Sequence, residues 1–170
     1  MRYWLAMPAA GASQRFGGTL PKQHMPLAGR TVLEVALRLF VDDARCAGIA
    51  LALDRSALAD AALRGRLDAK VRCVAGGVRR CDSVLLALAS LQSRAAAHDW
   101  VLVHDAARAC LSGADLERLL TAGAADPVGA LLATPISDTI KQAGETLGSE
   151  RTLDRSTLWR ALTPQMFRFG

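Results

Sequence analysis

Short apolar runs alternate with amphipathic segments along most of this chain. Tyr3 to Ala10 is an almost unbroken apolar run that stops at Gly11, as a strand buried on both faces reads. From Thr31 to Phe40 the period becomes helical. Val32, Leu33, Ala36, Leu37 and Phe40 share one face, and Thr31 with Glu34 has capping-box spacing. Ile49 to Leu53 predicts the next strand, and Ser56 to Leu67 a helix capped by Ser56. Val71 to Ala75 predicts a strand running into Gly76-Gly77, followed by a helix from Asp82 to Gln92. Trp100 to His104 reads as a strongly apolar strand. Ser112 to Ala122 reads as a helix opened by Ser112 with Asp115 and stopped at Gly123, and Val128 to Ala133 as a further strand. Strand–helix alternation with short links predicts the α/β class: one domain over 1–170 with a mostly parallel sheet and helices on both faces.

After Pro135 the pattern changes. Ile136 to Gln142 and Arg151 to Arg155 are polar extended pieces around a turn-like Gly144 to Gly148. They predict a projecting β-arm at about 136–155 that packs on a partner or caps a site. A plain surface loop is the other reading of the same residues.

Composition narrows the partners. The 170 residues are 51% apolar, enough for a core, and carry a net charge of +5. That mild excess suits a small anionic substrate and does not argue for nucleic acid, as the 5% of aromatics does not argue for base stacking. No apolar run approaches the roughly 18 residues of a membrane span. Cys46, Cys73, Cys81 and Cys110 form no CxxC pair, so neither a zinc site nor a disulfide framework is expected. A cytoplasmic protein without membrane or nucleic-acid partners is the expectation.

In an open parallel sheet, ligands bind beyond the carboxyl ends of the strands, and four polar, glycine-rich segments fall there. The first, residues 9–23, begins with the small Ala9, Ala10 and Gly11, which allow close approach to backbone amides that can form an anion nest. Arg15 and Lys22 add two cations that could hold a triphosphate and stabilise charge on its leaving oxygen. Lysine is rare here, with only Lys22, Lys70 and Lys141. Neither GxGxxG nor the Walker lysine pattern occurs. The second segment, Gly76 to Val84, places Gly77 and Ser83 at a helix start, where they could meet a phosphate, ribose or base, or where Asp82 or Ser83 simply caps the helix. In the third, Asp105 directly follows a buried strand. It could hold Mg²⁺ on phosphates, with Arg108 binding substrate phosphate, or the two could form a structural ion pair. His104 reads as a core or capping histidine. The fourth holds Asp138, Thr139 and Lys141 on one side of the arm and Asp154 and Arg155 on the other, as anion contacts or as plain surface charges.

Taken in series, these segments resemble the 2-C-methyl-D-erythritol 4-phosphate cytidylyltransferase family. Residues 9–23 are similar to its AAGxGxR…PKQ loop, Gly76 to Val84 to GGxxRxxSV, and Val103 to Arg108 to VHDAAR. Asp138 to Lys141 resembles DT(I/M)K, Asp154 to Trp159 resembles DRxxLW, and Thr163-Pro164-Gln165 resembles TPQ. The resemblance implies a Rossmann-like sheet, Mg²⁺ dependence, a homodimer through the arm, and transfer of CMP from CTP to methylerythritol phosphate. It implies Arg15 and Lys22 as catalytic charge stabilisers, and Ala9, Ala10, Gly11, Gly77 and Ser83 around the nucleotide. It places Asp105 near metal and substrate, and Thr139 and Arg155 on methylerythritol phosphate, with Arg155 reaching across from the partner. Ser13, Val78 and Ala109 depart from the family's usual glycine, polar residue and proline. The family pattern also runs on past the position of Gly170, so the chain reads as truncated at its C-terminus. A nucleotide-binding remnant without turnover, or a nucleotidyltransferase for another polyol phosphate, are the alternatives.

Overall fold

The structure is a computed structural model that describes residues 1–11 and 20–170. Its centre is a six-stranded sheet. The strands are β1 (Tyr3–Pro8), β4 (Cys46–Leu53), β5 (Val71–Ala75), β6 (Trp100–Val103), β7 (Gly129–Pro135) and β10 (Trp159–Arg168), in the order β5-β4-β1-β6-β10-β7. Strands β5, β4, β1 and β6 run parallel; β10 is antiparallel to both of its neighbours. The chain winds outward from β1 through β4 to β5, then returns to β6 on the other side of β1. That reversal opens a crevice at the strand ends.

Among the described residues five α-helices cover the faces: α1 (Val32–Asp42), α2 (Arg55–Ala59), α3 (Ala61–Arg66), α4 (Arg80–Ala89) and α5 (Gly113–Ala125). Alternation along β1 sorts them. Tyr3, Leu5 and Met7 pack under α1 and α5, with Leu33, Leu37, Phe40, Leu116 and Leu119. Trp4 and Ala6 face the other way, toward Ala87 of α4 and Leu91. The fully buried alanines Ala6, Ala50 and Ala52 have side chains short enough for α4 to settle on the sheet.

The expected capping box is present: Thr31 Oγ1 accepts from Glu34 N at 3.2 Å, and Thr31 N donates to Glu34 Oε2 at 2.7 Å. Ahead of it, β2 (Pro26–Leu27) and β3 (Arg30–Thr31) form a small hairpin whose turn residues Ala28 and Gly29 both have positive φ.

Several expectations are corrected. The helix expected from Ser56 to Leu67 is two helices, broken at Asp60. Asp54 and Asp60 each accept two backbone N–H groups, and Ser56 lies inside α2 rather than capping it. Gly123 does not stop α5, which continues to Ala125; a Cβ there would lie 2.5 Å from Met166 Sδ, so glycine serves helix–sheet contact. Strand β10, which the sequence pattern does not predict, fills the gap between β6 and β7. The expected arm is present as a separate two-stranded ribbon, β8 (Ile140–Ala143) with β9 (Ser149–Leu153), rooted where Ile136 N donates to Leu158 O at 3.2 Å. Arg155 falls in a short 3-10 turn after β9 rather than in the strand.

Candidate active site

A cleft of about 890 Å³ lies at the strand-order reversal. The exits of β1 and β6 and the loop from β5 to α4 form its walls, and Lys22 and Gln23 lie at its side. The sequence-expected Ala9, Ala10, Gly11, Lys22, Gly77, Ser83 and Asp105 all line it. Arg15, like Ser13, lies outside the described residues.

Gln23 shapes the first loop. Its buried amide donates to the carbonyls of Ala9 at 2.8 Å and Gly11 at 3.0 Å, tying Lys22 to the exit of β1. Ala9 N–H is taken by Ala52 O at 2.8 Å, so an amide cradle at this exit begins only after Ala9.

The β5–α4 loop is held by Ser83. Its hydroxyl accepts from Gly77 N at 3.0 Å and lies 3.3 Å from the carbonyls of Gly77 and Arg79. Ser83 therefore fixes the shape of the glycine loop, while Asp82 takes the capping role by accepting from Arg79 N at 3.1 Å. A Cβ on Gly76 would overlap that of Ala10, and one on Gly77 would overlap Asp82. Both glycines are required by close approach rather than by backbone angle. Val78 projects from this loop fully into solvent at the cleft wall.

Across the cleft, Asp105 sits between two guanidiniums. Arg80 Nε donates to Oδ1 at 2.8 Å and Arg108 Nε to Oδ2 at 3.1 Å. The described lining thus carries Lys22, Arg79, Arg80 and Arg108 against one carboxylate, Asp105, and Arg79 is further paired with Asp82. The resulting positive field selects a polyanion. No cluster of three or more His, Cys, Asp or Glu occurs among the described residues.

Behind this wall His104 is fully buried. Burial pushes its imidazole below the ordinary histidine value, against the opposing pull of its bond to the Arg108 carbonyl. It is a core histidine, as its sequence context suggested.

Thr139 and Arg155 are not brought into this cleft. Both are exposed at the arm, and Arg155 Nη1 donates to the Ser137 carbonyl. Two residues that hold the site have roles the sequence does not show: Gln23 as a loop tie, and Arg80 as the second partner of Asp105. Both lie inside the PKQ and GGxxRxxSV stretches, and that placement is their only mark in the sequence.

A glycine-walled, cation-rich cleft at the switch point of a Rossmann-like sheet defines a nucleotide-binding α/β protein. Comparison with known proteins narrows that class. The family model described as 2-C-methyl-D-erythritol 4-phosphate cytidylyltransferase matches residues 4–170. A relative of that name from Pseudomonas putida is 46% identical over 169 residues, covering 99% of this chain and 72% of the relative. Another from Ectopseudomonas mendocina is 45% identical over 172 residues, again 99% and 72%. A crystal structure of 4-diphosphocytidyl-2C-methyl-D-erythritol synthase superposes with a TM-score of 0.83 at 31% identity, over 99% of this chain and 75% of that one. The Francisella tularensis 2-C-methyl-D-erythritol 4-phosphate cytidylyltransferase gives 0.81 at 30%, over 100% and 74%. The chain belongs to the 2-C-methyl-D-erythritol 4-phosphate cytidylyltransferase family. Among the described residues no helix is long and apolar enough to cross a membrane.

Proposed function

We propose that this protein transfers the cytidylyl group of CTP to the phosphate of 2-C-methyl-D-erythritol 4-phosphate and releases pyrophosphate. The observation that carries this reading, beyond family membership, is the cleft that gathers Lys22, the Gly76-Gly77 loop and the Arg80–Asp105–Arg108 group at one strand-end crevice. An acceptor phosphate oxygen attacks the α-phosphorus as the bond to the bridging oxygen of pyrophosphate breaks. The acceptor is already anionic at neutral pH, so no general base is required. Positioning and charge neutralisation supply the rate. In this reading Lys22, with Arg15, neutralises charge growing on the α-phosphate and its leaving oxygen. Ala10, Gly11 and Gly77 present backbone to the nucleotide, Ser83 keeps the loop in shape, and Arg108 holds the acceptor phosphate.

Mg²⁺ fits the donor set in one way only. A lone carboxylate whose oxygens are both engaged by arginine cannot cage an ion, but it suits an ion that arrives on the triphosphate and keeps phosphate and water ligands. Asp105 would hold it, and the ion would supply neutralisation of the phosphates.

The arm is assigned to a homodimer contact. Leu147, 87% exposed with φ of 60° in its turn, and Trp159, 61% exposed beside its root, are apolar groups that a second copy would cover. Arg155 and Thr139 would then contact methylerythritol phosphate at the partner's cleft. The cysteines are all free, and two are exposed, which suits the reducing cytoplasm.

The test is pyrophosphate release with CTP, Mg²⁺ and a panel of polyol phosphates. Methylerythritol phosphate should be the preferred acceptor. Lys22→Ala should lose about 10²-fold in kcat, as when a transition-state donor is removed. CTP binding without pyrophosphate release for any acceptor would refute the proposal.

A further inference from the structure

The imidazole of His104 touches nothing in the cleft, yet both of its nitrogens are committed to residues that do. Nε2 lies 3.0 Å from the Arg108 carbonyl oxygen, which can only accept, so Nε2 carries the ring proton. Nδ1 of the neutral ring is then an acceptor, and the Thr163 hydroxyl donates to it at 3.0 Å. The same hydroxyl oxygen accepts the Asp105 N–H at 3.2 Å. The Phe40 ring packs against the imidazole at 5.2 Å between centroids, fixing its plane from the core side. One side chain therefore ties the backbone at 105, through Thr163 of β10, and the backbone at 108 directly. These are the two residues that meet in the ion pair on the cleft wall.

A core histidine needs only to have its polar atoms satisfied, and any nearby carbonyl would serve. Here the two bonds fall on either side of a single four-residue turn, closed by Arg108 N donating to Asp105 O at 3.0 Å. The turn is pinned at both ends from behind, while its Asp105 and Arg108 line the cleft.

We propose that His104 is a positioning residue of the transfer reaction, which through its two ring hydrogen bonds sets the turn that aims Arg108 at the acceptor phosphate and seats Asp105 beside it. The inference rests on the reading of Arg108 and Asp105 given above. The two nucleotide loops on the opposite wall are tied separately by Gln23 and Ser83, and they meet this turn through the Arg80–Asp105 pair.

The test is a set of variants assayed for kcat, for KM of each substrate separately, and for melting temperature. His104→Phe keeps a ring against Phe40 and loses both hydrogen bonds. His104→Gln retains a donor for the Arg108 carbonyl, His104→Asn retains an acceptor for Thr163, and Thr163→Val removes the relay. His104→Phe should raise KM for the acceptor, or lower kcat, by about 10-fold or more, since sub-ångström misplacement is costly in a positioned transfer. KM for CTP should change less than KM for the acceptor, because the nucleotide wall meets the turn only through the Arg80–Asp105 pair among the described residues. His104→Gln should recover part of the loss, and Thr163→Val should add little on top of His104→Phe, since both cut the same link. If all three His104 variants lower the melting temperature and leave every kinetic constant of the folded enzyme at the wild-type value, His104 is only a core residue and the proposal fails. Arg108→Ala separates the two levels. If it leaves acceptor KM unchanged, the reading of the acceptor site fails and this inference with it. If it raises acceptor KM while the His104 variants do not, only the inference fails.

Discussion

Replacing Asp105 by asparagine changes one charge and almost no volume, and the structure sets how large the consequences should be. The carboxylate bonds Arg80 at 2.8 Å and Arg108 at 3.1 Å. Its side chain is 27% exposed, and those of Arg80 and Arg108 are 52% and 47% exposed. Water reaches all three groups, so each pair contributes about 0–1 kcal/mol, and the two together at most about 2 kcal/mol. For a chain of this length that is a fall in melting temperature of no more than about 8 °C, and it should shrink as salt screens the pairs. The expected loss of turnover is far larger. Asp105 is the one acid on the described lining, and without it the guanidiniums of Arg80 and Arg108 repel each other and lose the group that orients them. A loss in kcat of about 10²-fold or more follows, of the size seen when preorganised electrostatics are removed. Thermal melts at low and high salt, beside pyrophosphate-release kinetics, give both numbers on one preparation. A melting temperature lowered by well over 8 °C with turnover intact would refute the reasoning, because Asp105 would then be a structural ion-pair partner.

Two further perturbations probe the scaffold. Gly76→Ala would drive a Cβ into that of Ala10, 3.1 Å from Ser83 Oγ and 3.2 Å from the Leu53 carbonyl. The exits of β1 and β5 must part, costing about 1–3 kcal/mol in melts and raising KM for CTP. Thr31→Ala removes the α1 cap and should cost about 1 kcal/mol in urea unfolding at pH 7. The cap is also pH-sensitive. Burial pushes the Glu34 carboxyl up, but the Thr31 N–H and the Arg66 guanidinium outweigh it and hold the group below its ordinary value. Its stabilisation is complete above the unfolded carboxyl's value of about 4.3 and is lost as the pH falls through the lower folded value. The stability gap between wild type and Glu34→Gln should therefore close on acidification below about pH 4, and a gap that widens in acid would contradict the sign.

The parts of the fold legible in the sequence are those where burial is complete and partners are local. β1, β4 and β6 are unbroken apolar runs because they are covered on both faces. The Thr31–Glu34 and Ser112–Asp115 pairs announce helix starts because donor and acceptor lie three residues apart. The break at Asp60 was hidden because an aspartate inside an alanine-rich stretch reads as an exposed helical residue; only the folded chain reveals that it accepts from Ala62 and Leu63. Strand β10 was hidden for another reason. It carries Arg160, Thr163, Pro164 and Gln165 and its register shifts between Ala161 and Gln165, so no clean alternation survives.

The same distinction applies at the site. Residues expected to meet a ligand directly stand out because a phosphate demands glycine, lysine and arginine at a strand exit, whatever the rest of the chain does. Residues that hold the loops answer to partners far away in sequence. Gln23 is buried only because the carbonyls of Ala9 and Gly11 turn inward to meet it. His104 depends on a hydroxyl 59 residues away, on a strand the hydropathy pattern does not show. A buried amide or imidazole costs several kcal/mol if left unpaired, so such residues persist only where the fold completes their bonds. Among the described residues no buried side-chain nitrogen or oxygen lacks a partner. It follows that the polar residues most informative about how this cleft is held are those with both low exposure and a complete set of hydrogen bonds. By that criterion Gln23, Ser83, His104 and Thr163 form the supporting layer behind the cations.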